Sequence, residues 1–373
     1  MKILFPIGSF FPAQSGGPSN TIYWHARALK KNGVIRPIVI TTNKDINDSN
    51  LKLDELLITE AGEVTYLKTK NYSLPFKLIV KSIGEIKRVD IIHLTSLFFI
   101  PSIFIAIAAR FYNKKVVWSV RGELENGALG YKSIIKLKYL SLLRNITKKN
   151  TIFHATSKSE EDNVKRNFPK ADIITLPNFI SLPKLVNIEV RKQFLFLGRI
   201  HPIKNIDGII KSVASSKEFK KNDFKLVIAG GGEQNYLNKL KDLVRKLNLK
   251  DNVKFIGHIE KEEKQKILAE SYCLILASHS ENFGNVVVEA LAQKTPVIAT
   301  EGTPWEILNK SKAGIWIRNE ETILTECIDD LIQKENRDYL KMRDNAYKLV
   351  KDKYDVDANV DKWENVYLKS KKK

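Results

Sequence analysis

The stretch VDIIHLTSLFFIPSIFIAIAARFYNKKVVWSV, residues 89–120, decides the fold class. It opens with a run rich in β-branched residues that predicts a buried strand. Pro101 then begins an Ala- and Ile-rich segment that predicts a helix to Tyr112. A second apolar run, KKVVWSV, predicts the next strand. Strand, helix and strand in this order are typical of a parallel sheet with helices on its faces.

The same region also meets the length criterion for a membrane span, because residues 91–109 are 19 positions without a formal charge. We favour a soluble strand and helix, since Asp90 precedes the run, His93 interrupts it and Pro101 divides it. On this interpretation a buried strand leads into a buried helix.

Apolar runs alternate with helical patterns through the rest of the chain. KILFPI, RPIVITT, TIFHATS and DIITLPN predict further strands of a first lobe, and QFLFLGRI, FKLVIAGGG, NVKFIGH, CLILAS, TPVIAT and AGIWIR predict those of a second. We therefore predict an α/β protein of two facing Rossmann-like, doubly wound domains with a cleft between them. The expected domains are 1–183 and 184–350, followed by a C-terminal helix, 351–373, which Trp363 and Tyr367 anchor on the first domain.

The composition favours a globular protein with an anionic partner. Lys and Arg outnumber Asp and Glu by 62 to 42, a net charge of +20, which suits a nucleotide, a nucleic acid or an acidic membrane. Cys273 and Cys327 show no metal-binding or disulfide spacing, so a reducing cytoplasm is expected. The apolar run of MKILFPIGSF is too short for a signal peptide and predicts the first strand.

The loop after that first strand, FPAQSGGPSN, has the composition of a phosphate-binding turn. Gly16 and Gly17 allow close approach of the backbone to a ligand. Pro18 at the first position of a helix leaves the helix amides facing outward. A tight turn without a ligand is the alternative that these residues leave open.

Two cations follow the strand that opens the second lobe. Arg199 and Lys204, five positions apart in FLGRIHPIKN, offer a planar fork and a point charge to one diphosphate. Solvated surface is the alternative, but the carboxyl end of a strand favours ligand binding. Later strand ends offer a glycine loop containing Gly231, and then backbone at Gly257, His258 and Ile259 where a base would fit. The glycine spacing is not that of a nicotinamide site.

The segment SENFGNVVVEA contains two carboxylates, Glu281 in a loop and Glu289 inside a predicted apolar helix. An unpaired buried carboxylate is costly or becomes protonated, whereas the two hydroxyl donors of a diol satisfy it. We therefore assign Glu289 to a ribose, and an internal Lys or Arg partner is the alternative. The first residues of the helix offer amides to phosphate or sugar oxygens: Gly284, Asn285 and Val286.

Together these segments resemble the group 1 (family 4) retaining glycosyltransferases of the GT-B fold. The resemblance covers nearly the whole chain, and its most specific parts are Gly-Arg-x4-Lys at 198–204 and the Glu-x7-Glu element with Phe283 and Gly284. It implies transfer of a sugar from a nucleotide-sugar, UDP- or GDP-linked, to a glycan or lipid-linked acceptor. It also implies retention at the anomeric carbon and no metal or separate cofactor.

The resemblance further implies a role for each site residue. Arg199 and Lys204 bind the diphosphate and the charge of the leaving group, Glu281 binds the sugar hydroxyls, and Glu289 binds the ribose hydroxyls. The remaining donor-binding positions contribute mainly backbone: Gly16, Gly17, Gly231, His258, Ile259, Phe283, Gly284, Asn285 and Val286.

One loop departs from the pattern of many relatives, since WSVRGELE has Arg121 where they have a histidine, and Thr95 replaces a second histidine. An arginine is a poor base at pH 7, because its pKa stays above about 12. We therefore assign Arg121, the fourth catalytic candidate, to neutralising phosphate. Glu123 and the acceptor itself are left open as the base.

The expected function is synthesis of a bacterial-type surface polysaccharide in the cytoplasm, without nucleic acid as a partner. The Lys-rich segments KLIVKSIGEIKR and YKSIIKLKYLSLLRNITKK add an expected peripheral contact with anionic lipid at the inner face of the cell membrane. Two alternatives stay open. One is a GT-B-fold UDP-sugar epimerase, and the other is a basic nucleic-acid-binding protein, which lacks a recognisable binding module.

Overall fold

The computed structural model describes residues 1–13, 17–46, 50–125, 133–147, 150–259 and 261–372. The chain divides into two compact units. Unit 1 comprises Met1–Ser181 and Val356–Lys373, and unit 2 comprises Leu182–Asp355. The sequence pattern predicts the first boundary at residue 184 and the return to the first domain at residue 351.

Unit 1 is built on a mostly parallel sheet. Its described strands are β1 (Lys2–Pro6), β2 (Arg36–Thr42), β3 (Leu56–Thr59), β4 (Gly62–Leu67), β5 (Ile91–Thr95), β6 (Lys115–Ser119), β7 (Thr151–Ala155) and β8 (Asp172–Thr175). Their order is β3-β4-β2-β1-β5-β6-β7-β8, and only β3 runs antiparallel to its neighbour. The central strands are nearly continuous apolar runs, and β5 is buried at all of its positions. Such strands suit a sheet that is covered on both faces.

The hairpin of β3 and β4 is an element that the sequence prediction missed. Gly62, the first residue of β4 after the turn, has a φ of +110°. A Cβ at this position would lie 2.4 Å from the carbonyl oxygen of Pro37, so the turn requires glycine. The signal was present in LLITEAGEVTYL, where two β-rich runs flank a short turn containing glycine.

Five helices precede the end of unit 1 among the described residues: α1 (Gly17–Asn32), α2 (Phe76–Glu85), α3 (Ile100–Phe111), α4 (Ser133–Ile146) and α5 (Lys158–Asn167). Helices α2 to α5 bury their apolar faces in one core on one side of the sheet. Helix α1 packs in a second core, on the other side. Two cores on opposite faces are what a doubly wound sheet requires.

Helix α3 differs from the predicted buried helix, because only its inner face is covered. Ile103, Ile105 and Ala109 are buried against the sheet. Within the described part of the chain, no helix has the length and apolar character needed to cross a membrane. The outer face of α3 exposes a stripe of large apolar side chains: Ile100, Phe104, Ile107 and Phe111.

Unit 2 has a fully parallel sheet with the order β11-β10-β9-β12-β13-β14 in the described residues. These strands are β9 (Arg191–Leu197), β10 (Lys225–Ala229), β11 (Val253–Gly257), β12 (Ser271–Leu276), β13 (Val297–Thr300) and β14 (Gly314–Ile317). The helices are α6 (Ile206–Ser215), α7 (Lys217–Lys221), α8 (Gln234–Lys246), α9 (Lys261–Glu270), α10 (Asn285–Ala292), α11 (Ile307–Ser311), α12 (Glu321–Gln333) and α13 (Asn336–Lys353). Two Rossmann-like α/β domains, as predicted, are confirmed.

The strand order fixes where unit 2 can bind a ligand. From β9 the chain builds outward through β10 and β11 on one side, then returns to build β12, β13 and β14 on the other. The loops after β9 and β12 therefore leave neighbouring strands in opposite directions. Open α/β sheets bind ligands at this switch point, outside the carboxyl ends of the strands.

The last helix, α14 (Val356–Lys372), belongs to unit 1 and packs against α1. Its Tyr367 hydroxyl lies 2.5 Å from His93 Nδ1, and His93 Nε2 lies 2.7 Å from the Ser119 hydroxyl. Ser119 in turn lies 2.7 Å from His154 Nδ1, and His154 Nε2 lies 2.9 Å from the carbonyl oxygen of Leu176. A buried hydrogen-bonded chain thus joins α14 to β5, β6 and β7.

The direction of every bond in this chain follows from its last member. A carbonyl oxygen only accepts, so His154 Nε2 donates to Leu176 and His154 Nδ1 accepts from Ser119. Because the Ser119 hydroxyl proton is donated to His154, the Ser119 oxygen accepts from His93 Nε2. His93 Nδ1 then accepts from the Tyr367 hydroxyl. Burial lowers the pKa of both histidines below 6.5, so both are neutral at pH 7, and this order of donors protonates each of them on Nε2.

We predict that Tyr367→Phe lowers the free energy of unfolding of unit 1 by about 1–3 kcal/mol, because His93 Nδ1 loses its buried donor. Hydrogen exchange of the amides of β5, β6 and β7 measures this loss in unit 1 alone. Tyr72→Phe is the matched control, since Tyr72 is an exposed tyrosine of the same unit. Equal exchange rates in the two variants would contradict the hydrogen-bonded chain.

Candidate functional site

The switch point of unit 2 brings together two of the predicted site residues. Lys204 follows β9, Glu281 follows β12, and the Lys204 ammonium contacts Glu281 Oε2 in an ion pair. The side chains are 16% and 18% exposed, so the pair is open to a ligand on one side. Backbone bonds tie the surrounding loops, since the His279 amide donates to Ile203 O at 2.8 Å and the Glu281 amide to Gly302 O at 2.8 Å.

Local structure aims the Lys204 side chain. Residues Pro202–Lys204 form a short 3-10 helix, whose start is capped by His201 Nδ1 accepting from the Ile203 amide at 3.2 Å. Asn205 then adopts a left-handed conformation, with φ of +54°, and its side-chain amide donates to Asn319 Oδ1 at 3.0 Å. Arg199, in contrast, has an exposed side chain. The structure brings Lys204 and Glu281 together and leaves Arg199 on the surface of the same loop.

Helix α10 begins beside this ion pair with a glycine cap. Gly284 has a φ of +75°, and a Cβ there would lie 2.9 Å from Leu276, so the cap position requires glycine and has no side chain of its own to cap the helix. Phe283 is buried, and its carbonyl oxygen accepts from Trp305 Nε1 at 2.5 Å. The half-buried Asn285 and Val286 form the first turn. An uncapped N-terminus at this position suits an anionic ligand.

Glu289 lies on the second turn of α10 and has an internal partner. Its Oε2 is 2.6 Å from Nζ of Lys264, on α9. The Glu289 side chain is 12% exposed and has Lys264 as its partner. The prediction of an isolated buried carboxylate, which follows from the helix pattern, is therefore wrong. The internal cation that the sequence analysis gave as the alternative is present, so burial of this carboxylate no longer calls for a ribose, and the ribose assignment stays a proposal. Lys264 was missed because KEEKQKILAE looks like a solvated helix, and only the packing of α9 on α10 brings it here.

The glycines after β10 divide into two kinds. A Cβ on Gly230 would lie 1.8 Å from Gly198 O, and one on Gly232 would lie 2.1 Å from Ile200 O. These two glycines therefore allow the loops after β9 and β10 to pack. A Cβ on Gly231 would meet nothing within 4 Å, so Gly231 presents open backbone.

The predicted base-binding residues lie at the end of the neighbouring strand, β11. Gly257 is its last residue, with a φ of +75°, and it turns the chain outward. His258 is exposed and Ile259 is half-buried. Both residues therefore lie at the carboxyl edge of the sheet.

Unit 1 contributes a second cluster, around Arg121. This residue has a φ of +58°, and Nη1 donates to Asn178 Oδ1. Within the described residues, Arg121 Nε is buried without a hydrogen-bond partner. Burial lowers the Arg121 pKa to about 10, against the opposing charge of Glu160. A small pocket beside Arg121 is also lined by His25 and His154. A non-glycine residue held at positive φ is a recurrent feature of functional sites.

Glu123, one of the two groups left open as the base, is committed to the loop that follows β5. Its carboxylate accepts from the Ser96 hydroxyl at 2.5 Å, from the Phe98 amide at 3.1 Å and from the Leu97 amide. Burial raises the Glu123 pKa, and these hydrogen bonds oppose the rise. With three donors on its two oxygens, the Glu123 carboxylate holds the loop after β5 against the loop after β6.

The predicted phosphate loop of unit 1 is described only in part. Gly16 lies outside the described residues, and Gly17 is the first residue of α1. The carbonyl oxygen of Gly17 accepts from the Thr21 hydroxyl at 2.7 Å. Among the described residues, no group of three or more His, Cys, Asp or Glu side chains has the arrangement of a metal site.

Two family models match consecutive parts of the chain. The model described as Glycosyltransferase Family 4 matches residues 15–183, and the model described as Glycosyl transferases group 1 matches residues 181–349. The boundary between the two matches coincides with the boundary between unit 1 and unit 2. Both units are therefore covered by models of one kind of enzyme.

Individual proteins agree with these matches. An uncharacterized glycosyltransferase of Methanocaldococcus jannaschii is 32% identical over 47% of this chain and 44% of its own length. The alpha-monoglucosyldiacylglycerol synthase of Streptococcus pneumoniae is 28% identical over 82% of this chain and 72% of its own. Among solved structures, HepE of Anabaena in complex with UDP and glucose has 18% identity and a TM-score of 0.75, covering 99% of this chain and 100% of HepE. The GT-B fold is thereby confirmed.

We predict that unit 1 loses stability as the pH falls from about 6.5 towards 5. Burial lowers the pKa of His154 to about 3 and holds the pKa values of His25 and His93 well below 6.5. The unfolded chain therefore takes up protons that the folded chain refuses. Each histidine removes up to about 1.4 kcal/mol of unfolding free energy per pH unit.

Hydrogen exchange of unit 1 at several pH values measures this slope. His154→Gln should make it shallower, whereas His258→Gln, at an exposed histidine, should leave it unchanged. A flat profile between pH 6.5 and 5 in the wild-type protein would show that the buried histidines already carry protons.

Proposed function

The chain belongs to the group 1 glycosyltransferases, and from this premise we propose that it transfers a hexose, with retention, from a nucleotide-sugar to a glycan or lipid-linked acceptor. The donor is UDP- or GDP-linked, and the product is part of a bacterial-type surface polysaccharide. The acceptor is met at the cytoplasmic face of a membrane. The reaction uses no metal, because protein cations neutralise the diphosphate.

The observation that carries the proposal is the Lys204–Glu281 ion pair at the switch point of unit 2. A cation and a carboxylate meet there beside the uncapped start of α10. A ligand that uses the cation, the carboxylate and the helix start together needs an anionic group and, next to it, hydroxyl donors. A nucleoside diphosphate sugar has this order of groups, with the diphosphate directly bonded to the sugar.

Binding of the donor changes the partner of each charge. The diphosphate takes Lys204 as its counter-ion, and Arg199 from the same loop joins it, since its exposed side chain is not held elsewhere by an ion pair among the described residues. Glu281, released from Lys204, accepts hydroxyl groups of the sugar. As the glycosidic bond breaks, charge grows on the diphosphate, and the two cations stabilise it more than they stabilise the bound donor.

The rest of the donor is proposed to lie along the carboxyl edge of the sheet. The amides of Asn285 and Val286 support phosphate or sugar oxygens. Glu289, which is paired with Lys264, accepts from the ribose hydroxyls. Gly231 leaves space for the ligand, and the backbone of His258 and Ile259 faces the base.

Arg121 is proposed to bind phosphate from unit 1. Its Nε–H has no hydrogen-bond partner in the described part of the chain, and its charge persists at pH 7, since its pKa is about 10. An anionic oxygen at the small pocket would satisfy this donor. With Glu123 committed to its loop, the acceptor hydroxyl is left to lose its proton to the departing phosphate.

The similar proteins guide the choice of substrates. HepE structures contain UDP, UDP-glucose and glucose, so UDP conjugates are the first donors to test. The name of the pneumococcal relative states that it makes a glucosylated diacylglycerol. A lipid-linked acceptor is therefore proposed for this chain ahead of a free sugar.

The first experiment measures binding of UDP, GDP and their sugar conjugates by calorimetry. Lys204→Met and Arg199→Met should each weaken UDP binding by about tenfold, as expected for the loss of a charge-assisted hydrogen bond. Lys250→Met is the matched control, because Lys250 is exposed and precedes β11, so it lies near the amino ends of the strands and not near their carboxyl ends. A sugar-nucleotide product formed without an acceptor would identify an epimerase instead, and absence of any nucleotide binding would exclude the proposal.

A second prediction separates a ribose-binding Glu289 from a structural one. Glu289→Gln should weaken UDP binding by about 1–3 kcal/mol, while Glu262→Gln, at an exposed residue of α9, should not. Lys264→Met should have a smaller effect than Glu289→Gln, since Lys264 acts only through the carboxylate. If both substitutions at the pair lower thermal stability and leave the dissociation constant unchanged, the ion pair is structural and the ribose assignment fails.

A further inference from the structure

One face of unit 1 exposes more apolar side chain than a helical surface in water usually does. On α3, the exposed residues are spaced by four, three and four positions, so they form one stripe along the helix. Phe111, at the end of the stripe, is 84% exposed. Arg110 is the only charged residue of the helix. An outer helix face normally carries polar residues, so this stripe requires an explanation.

The neighbouring helices extend the stripe on both sides. Helix α3 packs against α2 and α4, and all three cover the same face of the sheet. Their outer sides therefore point the same way. Exposed apolar residues on α2 are Phe76 and Val80, and those on α4 are Ile134, Leu137 and Leu142. We call the outward-facing side chains of these three helices the α2–α4 surface.

Positive charge surrounds these apolar residues. Residues 76–115 and 133–147 contain ten Lys or Arg and two Asp or Glu. The two acids are already paired, Glu85 with Lys81 and Arg88, and Asp90 with Lys371 of α14. Lys77 also pairs, with Asp54. These segments therefore carry more positive charge than their own acids neutralise.

We propose that the α2–α4 surface docks on an anionic membrane, with the α3 stripe inserted among the lipids and the flanking lysines and arginines at the headgroups. Apolar side chains bordered by cations are the pattern of an interfacial helix, which lies in the plane of the membrane. A second copy of the chain is a poor occupant, because two such surfaces would bring like charges together. This inference rests on the proposed function, in which the acceptor is lipid-linked, and names the surface that meets its membrane.

Flotation with lipid vesicles tests the surface directly. The wild-type protein should float with vesicles of phosphatidylglycerol and phosphatidylcholine at low salt, and not with phosphatidylcholine alone. The double variant Phe104→Glu with Ile107→Glu should lower the bound fraction by about tenfold, since it places two carboxylates among anionic lipids. Leu368→Glu is the matched control, because Leu368 is 40% exposed on α14, which packs in the core on the other face of the sheet.

A charge test uses a second pair of variants. Lys87→Glu with Lys138→Glu, at two exposed lysines outside the ion pairs named above, should also reduce flotation, and the same exchange at the exposed Lys239 and Lys241, on α8 of unit 2, should not. Calorimetry with UDP and circular dichroism are run on every variant, and both should match the wild-type protein. Loss of flotation with normal UDP binding then reports on the surface alone.

Two results would overturn the inference. One is flotation of the Phe104→Glu, Ile107→Glu variant equal to that of the wild type, or no flotation of either. The other is a concentration-dependent dimer in sedimentation that this variant abolishes, which would make the surface an interface between two copies. Failure of the proposed function can be told apart from failure of this inference. A protein that floats with the vesicles but binds no nucleotide would support the membrane-docking surface and contradict the transferase function.

Discussion

The proposed donor site depends on one ion pair, between Lys204 and Glu281, at the point where the chain of unit 2 reverses its direction across the sheet. Each partner neutralises the other, so neither charge is unpaired in a partly buried place. A donor that brings both phosphate and hydroxyl groups replaces the pair by two new contacts.

The sheets and the main site loops could be predicted from the sequence because their signals are local. A buried parallel strand needs an apolar run, a helix start needs its amides uncapped, and Gly-Arg-x4-Lys and Glu-x7-Glu place their charges within single loops or turns. The strand ends then bring Lys204 and Glu281 together without further information. Gly284 is another local signal, since its φ of +75° is readily adopted only by glycine.

What the sequence did not predict depends on which elements touch. Lys264 belongs to a helix rich in charge, and nothing in that helix shows that it packs on α10 beside Glu289. The sequence also does not show that the Glu123 carboxylate accepts hydrogen bonds from the loop after β5. The tautomers of His93 and His154 likewise follow from a single acceptor, Leu176, which lies 22 residues from His154 in the sequence.

For helix α3, two different predictions from the sequence each describe one side of the helix. Its uncharged run suggests a membrane span, and its place after a buried strand suggests a core helix. In the structure one side of the helix serves the core and the other is exposed and apolar. Burying each outward side chain in lipid would gain about 25 cal/mol per Å² of apolar surface, and the surrounding cations would direct that gain to anionic membranes. A helix of this kind would hold unit 1 on the membrane surface without crossing the membrane.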